Sequence, residues 1–272
     1  ELDKDIKSLK DDGFDITLQL LDHHITGKVS AAKYDWYFLD DKRCATKIVF
    51  DYLLKEFKAP LNDYKEWVDT VNAVDIWLEN EKENFEFGKV LMSMVTKARE
   101  INSILFNSLD RDFKFYLLKN SIGFLSLENA PIVLDNSVHS LKKEFLKDGF
   151  DDTLDNLSAS YLVKSLDKIK DDLTIYYNGQ KGLMTYCLGA ISIPANSFLR
   201  ENSDYDFFID VGREGNASFR ADGKLDVSQL ASNLGNGGGH VNASGCKFDD
   251  FIDTINLQEV RAYIQNKLNN LK

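Results

Sequence analysis

The residues best suited to chemistry in this chain are three of its four histidines, which fall in two short motifs. Asp22-His23-His24 follows an apolar run, Ile16-Thr17-Leu18-Gln19-Leu20-Leu21, and His240 closes Gly235-Asn236-Gly237-Gly238-Gly239-His240. A carboxylate with two imidazoles suits Mn²⁺ and other divalent transition ions. Strand ends facing a crevice are where open α/β sheets place ligand sites. Adjacent glycines let backbone N–H groups turn toward an anion, with His240 able to bond a phosphate oxygen. Taken singly, each motif has a plainer reading: a polar turn for the tripeptide, and a flexible loop or helix cap for the glycine run. The fourth histidine, His139, fits no motif and reads as a surface or connector residue.

The elements that must position these residues follow from apolar periodicity. Residues 2–12 read as an amphipathic helix, and 16–21 as a buried strand ending at the Asp-His-His motif. Residues 34–39 are aromatic-rich and read as another strand, and 44–57 trace one helical face that Pro60 ends. Helical patterns continue over 62–77, 87–107 and 109–126. A connector spans 127–160, with a helix-like stretch at 140–147. Strands are expected at 173–177 and 183–187 around Asn178-Gly179-Gln180-Lys181-Gly182, and at 207–211 and 217–220 around Glu214-Gly215-Asn216. A helix at 227–234 leads into the glycine run, a strand at 243–248 follows, and a helix at 255–271 closes the chain. This order predicts an α/β fold of two domains, 1–126 and 161–272, joined by 127–160.

Length and composition agree. The chain has 272 residues, enough for two cores of about 100–150 residues each. Its 43% hydrophobic and 28% charged content is that of a globular protein, and no apolar run reaches the roughly 18–20 residues of a membrane span. A net charge of −11 argues against binding long nucleic-acid tracts, which rests on Lys and Arg neutralising phosphates, but leaves room for a short anionic substrate. Cys44, Cys187 and Cys246 form neither a disulfide framework nor a CxxC clip, so free thiols in a reducing cytoplasm are expected.

The two motifs in this order resemble the DHH phosphoesterases that carry a C-terminal DHHA1 domain. Supporting features are Cys44-Ala45-Thr46 opening the helix after the motif, Ser218-Phe219-Arg220 ahead of the glycines, and the continuation Gly239-His240-Val241-Asn242-Ala243-Ser244-Gly245. The resemblance implies an N-terminal domain with a largely parallel sheet, a smaller C-terminal domain with a mixed sheet, and a cleft between them. It implies hydrolysis of a phosphodiester by two Mn²⁺ ions, or Mg²⁺, that activate a water. His23 matches a metal-ligating histidine, Asp22 its support holding the ring, and His24 the histidine facing the scissile phosphate. The family needs one more aspartate downstream. Asp75 is the first choice, in an apolar setting where a lone carboxylate would be costly without a partner. Asp69 and Asp63 are alternatives.

In the second domain, Arg220 matches an arginine that grips phosphate, for which a planar guanidinium is suited. Gly237, Gly238, Gly239, His240, Ser218 and Asn242 complete the implied substrate-binding set. The compact length resembles the oligoribonuclease branch, related to RecJ-type exonucleases, so a short single-stranded oligonucleotide is the expected substrate. A phosphatase or phosphodiesterase for a nucleotide (3′-phosphoadenosine 5′-phosphate or a cyclic nucleotide) is the alternative, and a nucleotide-binding module without catalysis a second. A homodimer is compatible with either. The family's Asp-x-Asp strand and bridging aspartate find no good match before Asp22, since Asp3-Lys4-Asp5 sits in a charged helical stretch. Those ligands are expected upstream of Glu1, which is not a translation start.

Overall fold

The computed structural model describes residues 2–271, which form a mixed α/β protein with one parallel and one mixed sheet. The chain divides into two compact units, Glu1–Lys97 with Leu118–Ser137, and Ala98–Leu117 with Val138–Lys272.

In the first unit, α1 (Leu2–Asp11) leads to β1 (Leu20–Asp22), α2 (Lys28–Ala31) and β2 (Tyr37–Leu39). The two strands pair in parallel, Leu20 opposite Tyr37 and Asp22 opposite Leu39. β1 is shorter than its apolar run predicted, because residues 14–19 find no strand partner. Then follow α3 (Ala45–Phe57), α4 (Lys65–Asp75) and α5 (Lys82–Thr96). Cys44 caps α3, its sulfur accepting from the Lys47 N–H, and Asn72 Oδ1 on α4 accepts the Cys44 N–H at 2.9 Å. Ile48, Val68, Ala73, Phe85, Phe87, Leu91 and Met94 form the buried core. Gly88 lets α5 approach α4 closely, since a Cβ there would stand 2.6 Å from the Thr70 carbonyl. The helical pattern expected over 87–107 breaks after Thr96. Asn102 Oδ1 accepts from the N–H groups of Ile104 and Leu105, closing a turn that only then opens α6 (Asn107–Ser121).

The region expected as a connector holds α7 (Ala130–Leu146) and the start of α8 (Leu154–Asp167). After α9 (Lys170–Leu173) come β3 (Thr174–Tyr177), β4 (Gln180–Tyr186), α10 (Ser192–Glu201), β5 (Phe207–Val211), β6 (Asn216–Ala221), α11 (Val227–Leu234), β7 (Gly238–His240), β8 (Ala243–Lys247) and α12 (Leu257–Asn269). The six strands lie in the order β3-β4-β5-β6-β8-β7, with β4 and β5 parallel and the remaining pairs antiparallel. The β3–β4 hairpin turns on two residues, Asn178 and Gly179, both at positive φ, so β4 starts three residues earlier than its hydrophobicity suggested.

β6 alternates. Ala217, Phe219 and Ala221 join Ile209 and Val211 in a core covered by Val227 and Leu230 of α11 and Val260 and Ile264 of α12. The opposite face is covered in part by α10, whose Phe198 ring meets Phe208 at 5.9 Å. α10, which periodicity did not reveal, is the crossover that parallel pairing of β4 and β5 demands.

Candidate functional site

The Asp-His-His motif stands where β1 ends and the chain turns through a single 3₁₀ turn, Ile25–Gly27. Every acceptor of Asp22 is engaged. Oδ1 accepts the backbone N–H of His23 at 2.8 Å and of His24 at 3.2 Å, and it meets His24 Nδ1 at 2.8 Å. Oδ2 accepts the Tyr37 hydroxyl at 2.5 Å, from the neighbouring strand. Gly27 makes this last bond possible, because a Cβ there would overlap the Tyr37 hydroxyl. The Tyr37 bond first, then that of His24, hold the Asp22 carboxyl well below its usual range. Asp22 is therefore ionised at neutral pH, so His24 Nδ1 must carry a proton, and Nε2 is the nitrogen presented outward. The His24 side chain is 69% exposed.

The expectation that Asp22 orients His23 needs correction. Its carboxylate fixes the ring of His24, while His23 receives only a backbone contact from it. The ring of His23 instead faces Asp75, with Nδ1 3.6 Å from Oδ2. The two imidazoles lie against each other, centroids 4.2 Å apart. Asp75 is the last residue of α4 and 45% exposed, not enclosed in apolar surroundings as the sequence suggested. A carboxylate there sits at the negative end of the helix dipole, an arrangement that costs stability unless positive charge is near. The alternatives lie elsewhere. Asp69 is paired with Lys47 and Lys65 at 3.0 Å each, and Asp63 lies in an exposed turn.

His23 and Asp75 are the two side chains here that could hold a divalent ion. Among the described residues no group of three or more His, Cys, Asp or Glu side chains converges to hold a metal. The donors of a two-ion centre are thus not assembled by these residues. The pair suits at most one ion completed by water and substrate oxygens, as Mg²⁺-type sites often are.

In the second unit, the sheet register builds a shelf. Arg220 lies opposite Ala243, and Ala243 opposite His240. Ser218 lies opposite Gly245, and Gly245 opposite Gly238. Residues directly opposite in antiparallel strands share a face, so Arg220 and His240 flank one alanine, with Ser218 and two glycines in the next row. Only small residues occupy the floor between the two basic side chains, leaving room for a compact anion. The glycine run is an edge strand here, not a loop. Gly237 is required by packing, since a Cβ would stand 2.5 Å from the Gly245 carbonyl and 2.7 Å from that of Ala231. Gly239 adopts φ 146° against the Ala243 carbonyl. Gly238 alone of the three has room for a Cβ, which would make only an ordinary contact, 3.9 Å from Ser232 Oγ. Asn242 Oδ1 accepts the Gly223 N–H at 2.9 Å, so its acceptor is spent on the turn beside the shelf.

No family model matches the chain. It is 42% identical over 260 residues to the 3′,5′-cyclic-nucleotide phosphodiesterase of Helicobacter pylori, covering 94% of this chain and 74% of that protein. It is 23% identical over 257 residues to the oligoribonuclease NrnB of Bacillus subtilis, covering 89% of this chain and 55% of that protein. The crystal structure of an uncharacterized protein from Helicobacter pylori G27 superposes with a TM-score of 0.86 at 41% identity, covering 98% of this chain and 80% of that one. A histidine pair at a strand end and an arginine–histidine shelf on a mixed sheet define a phosphoesterase-type protein. The chain belongs to the DHH phosphoesterases that carry a DHHA1 domain.

Proposed function

We propose that the protein is a nucleotide phosphodiesterase. The observation that carries this reading is the Asp22–His24 hydrogen bond beside the His23–Asp75 pair at one strand end. His24 Nε2, left with its lone pair because Asp22 holds the proton on Nδ1, is placed to take up a proton from a water or hydroxyl, and the imidazolium so formed can donate to a phosphoryl oxygen. Tyr37 keeps Asp22 ionised and aimed, so the imidazole does not turn. A divalent cation, Mn²⁺ or Mg²⁺, held by His23 and Asp75 would supply charge neutralisation and a more acidic bound water. Arg220, His240 and the amides of β7 would hold the phosphate, with Ser218 a further hydroxyl on the same face.

The Helicobacter pylori relative moves a 3′,5′-cyclic nucleotide ahead of the short oligonucleotide expected from length alone. The oligoribonuclease reading keeps support from the Bacillus subtilis relative. Incubation with 3′,5′-cyclic AMP and, separately, with a short RNA in the presence of Mn²⁺ separates them. The cyclic nucleotide should be opened to a monophosphate, and His24→Ala should remove that activity. Hydrolysis of RNA alone would move the assignment to oligoribonuclease, and hydrolysis of neither would refute the enzyme reading.

A further inference from the structure

Arg220 does not stand free on its shelf. Nη1 donates to the Phe219 carbonyl at 2.8 Å, and Nη2 donates to Ser192 Oγ at 2.9 Å. Two of five guanidinium N–H donors thus fix the plane, and three remain for an anion. Ser192 is the first residue of α10, reached through the turn 187–191. That turn is irregular. Cys187 has φ 56° and Gly189 φ 84°, and Leu188 and Ala190 line a cavity of about 400 Å³ together with Ser192, so packing does not hold it from that side.

Hydrogen bonds hold it instead. The buried Asp210 accepts the Leu188 N–H at 2.9 Å and the Gly189 N–H at 3.0 Å, and the buried Thr185 hydroxyl at 2.8 Å. From the other side Asn102 Nδ2 donates to the Cys187 carbonyl at 2.5 Å. A carboxylate on a central strand is costly to bury. Burial pushes its pKa up, against the pull of the two backbone N–H groups and Thr185. An apolar residue would serve the core better, so the carboxylate is retained for the turn it anchors.

We propose that Asp210 and Ser192 are positioning residues for phosphate binding: Asp210 anchors the 187–191 turn, the turn sets Ser192, and Ser192 holds the Arg220 guanidinium in the plane that meets the substrate phosphate. This rests on the reading of Arg220 as a phosphate ligand. It adds two residues that no motif marks, one of them on a helix and one in the core.

Binding of adenosine 5′-monophosphate, measured by titration calorimetry, tests it independently of turnover. Arg220→Ala should abolish measurable binding. Ser192→Ala should weaken it about 3- to 10-fold, the loss of one ordinary hydrogen bond, with the melting temperature unchanged. Ser192→Thr, which keeps the hydroxyl, should restore most of the affinity. In turnover assays the alanine variant should raise KM and leave kcat. Asp210→Asn should weaken binding too, and adding Ser192→Ala to it should cost nothing further, since both act through one path. If Arg220→Ala weakens binding while Ser192→Ala does not, the positioning proposal is overturned and the phosphate role of Arg220 stands. If Arg220→Ala leaves binding intact, the reading of Arg220 fails and the proposal falls with it.

Discussion

His24 and Asp22 form a unit in which the carboxylate sets the tautomer and the imidazole faces outward. Asp22→Asn keeps the shape but offers an amide that can turn its NH₂ to the ring, so the protonated nitrogen is no longer specified. Turnover should drop about 10²-fold with the fold intact, measured as kcat/KM alongside circular dichroism. Tyr37 supplies the largest pull on the Asp22 carboxyl. The folded pKa lies below the usual aspartate value of 3.8, so the stabilisation is present above that pH and is lost as pH falls below it. Tyr37→Phe should therefore lower the melting temperature at pH 7, and the gap from the parent should close toward pH 2. A gap that widens in acid would show that the bond does not favour the ionised form.

At the scale of elements, β7 is the piece whose role changed most between sequence and structure. Three consecutive glycines read as a loop for anion contact, yet Gly237 and Gly239 are there because β8 and α11 leave no room for a Cβ. Gly237→Ala should destabilise the protein by about 2 kcal/mol through overpacking, read from urea denaturation. Gly238→Ala meets only Ser232 Oγ at ordinary contact distance and should leave stability nearly unchanged while weakening nucleotide binding on the exposed face. Equal destabilisation by both would contradict the packing given for β7. The elements around the first site show the same division. The apolar run before Asp22 marked a strand correctly, but its length is set by β2, which pairs with only three of its residues. The hairpin at Asn178-Gly179 was visible as a turn signal, and its two-residue register came from the left-handed conformation of both residues.

At the scale of the whole molecule, charge sets what kind of anion can be held. The chain carries 33 basic and 44 acidic side chains, a net charge of −11. Arg220 is the main cation on the shelf, and in the first unit Lys47 is tied to Asp51 and Asp69. A single phosphate on one arginine should give a shallow salt dependence. The logarithm of the binding constant for adenosine 5′-monophosphate should fall against log salt with a slope of about −1 or less steeply, whereas a long-tract binder making six contacts would approach about −4 to −5. A slope that steep for this protein would point to an extended nucleic-acid track instead of a single phosphate site. No helix among the described residues is long and apolar enough to cross a membrane.

Residue type and order alone identified the family, because an imidazole pair after an apolar strand and a glycine–histidine run far downstream seldom occur together for structural reasons. They also marked the α/β alternation, while the mixed second sheet was implied only by the resemblance to the family. What they left open was partnership. The hydroxyl that holds Asp22, the carboxylate nearest His23 and the serine that holds Arg220 lie on different elements from their partners, 15 or more residues away along the chain, and no local pattern links them. Only the pairing of β1 with β2, the close approach of α4 to the strand end, and the return of α10 beside β6 bring those groups within hydrogen-bonding or near-contact distance. Periodicity reports which face of an element is apolar. Which polar group on another element meets it is decided by how the apolar faces pack.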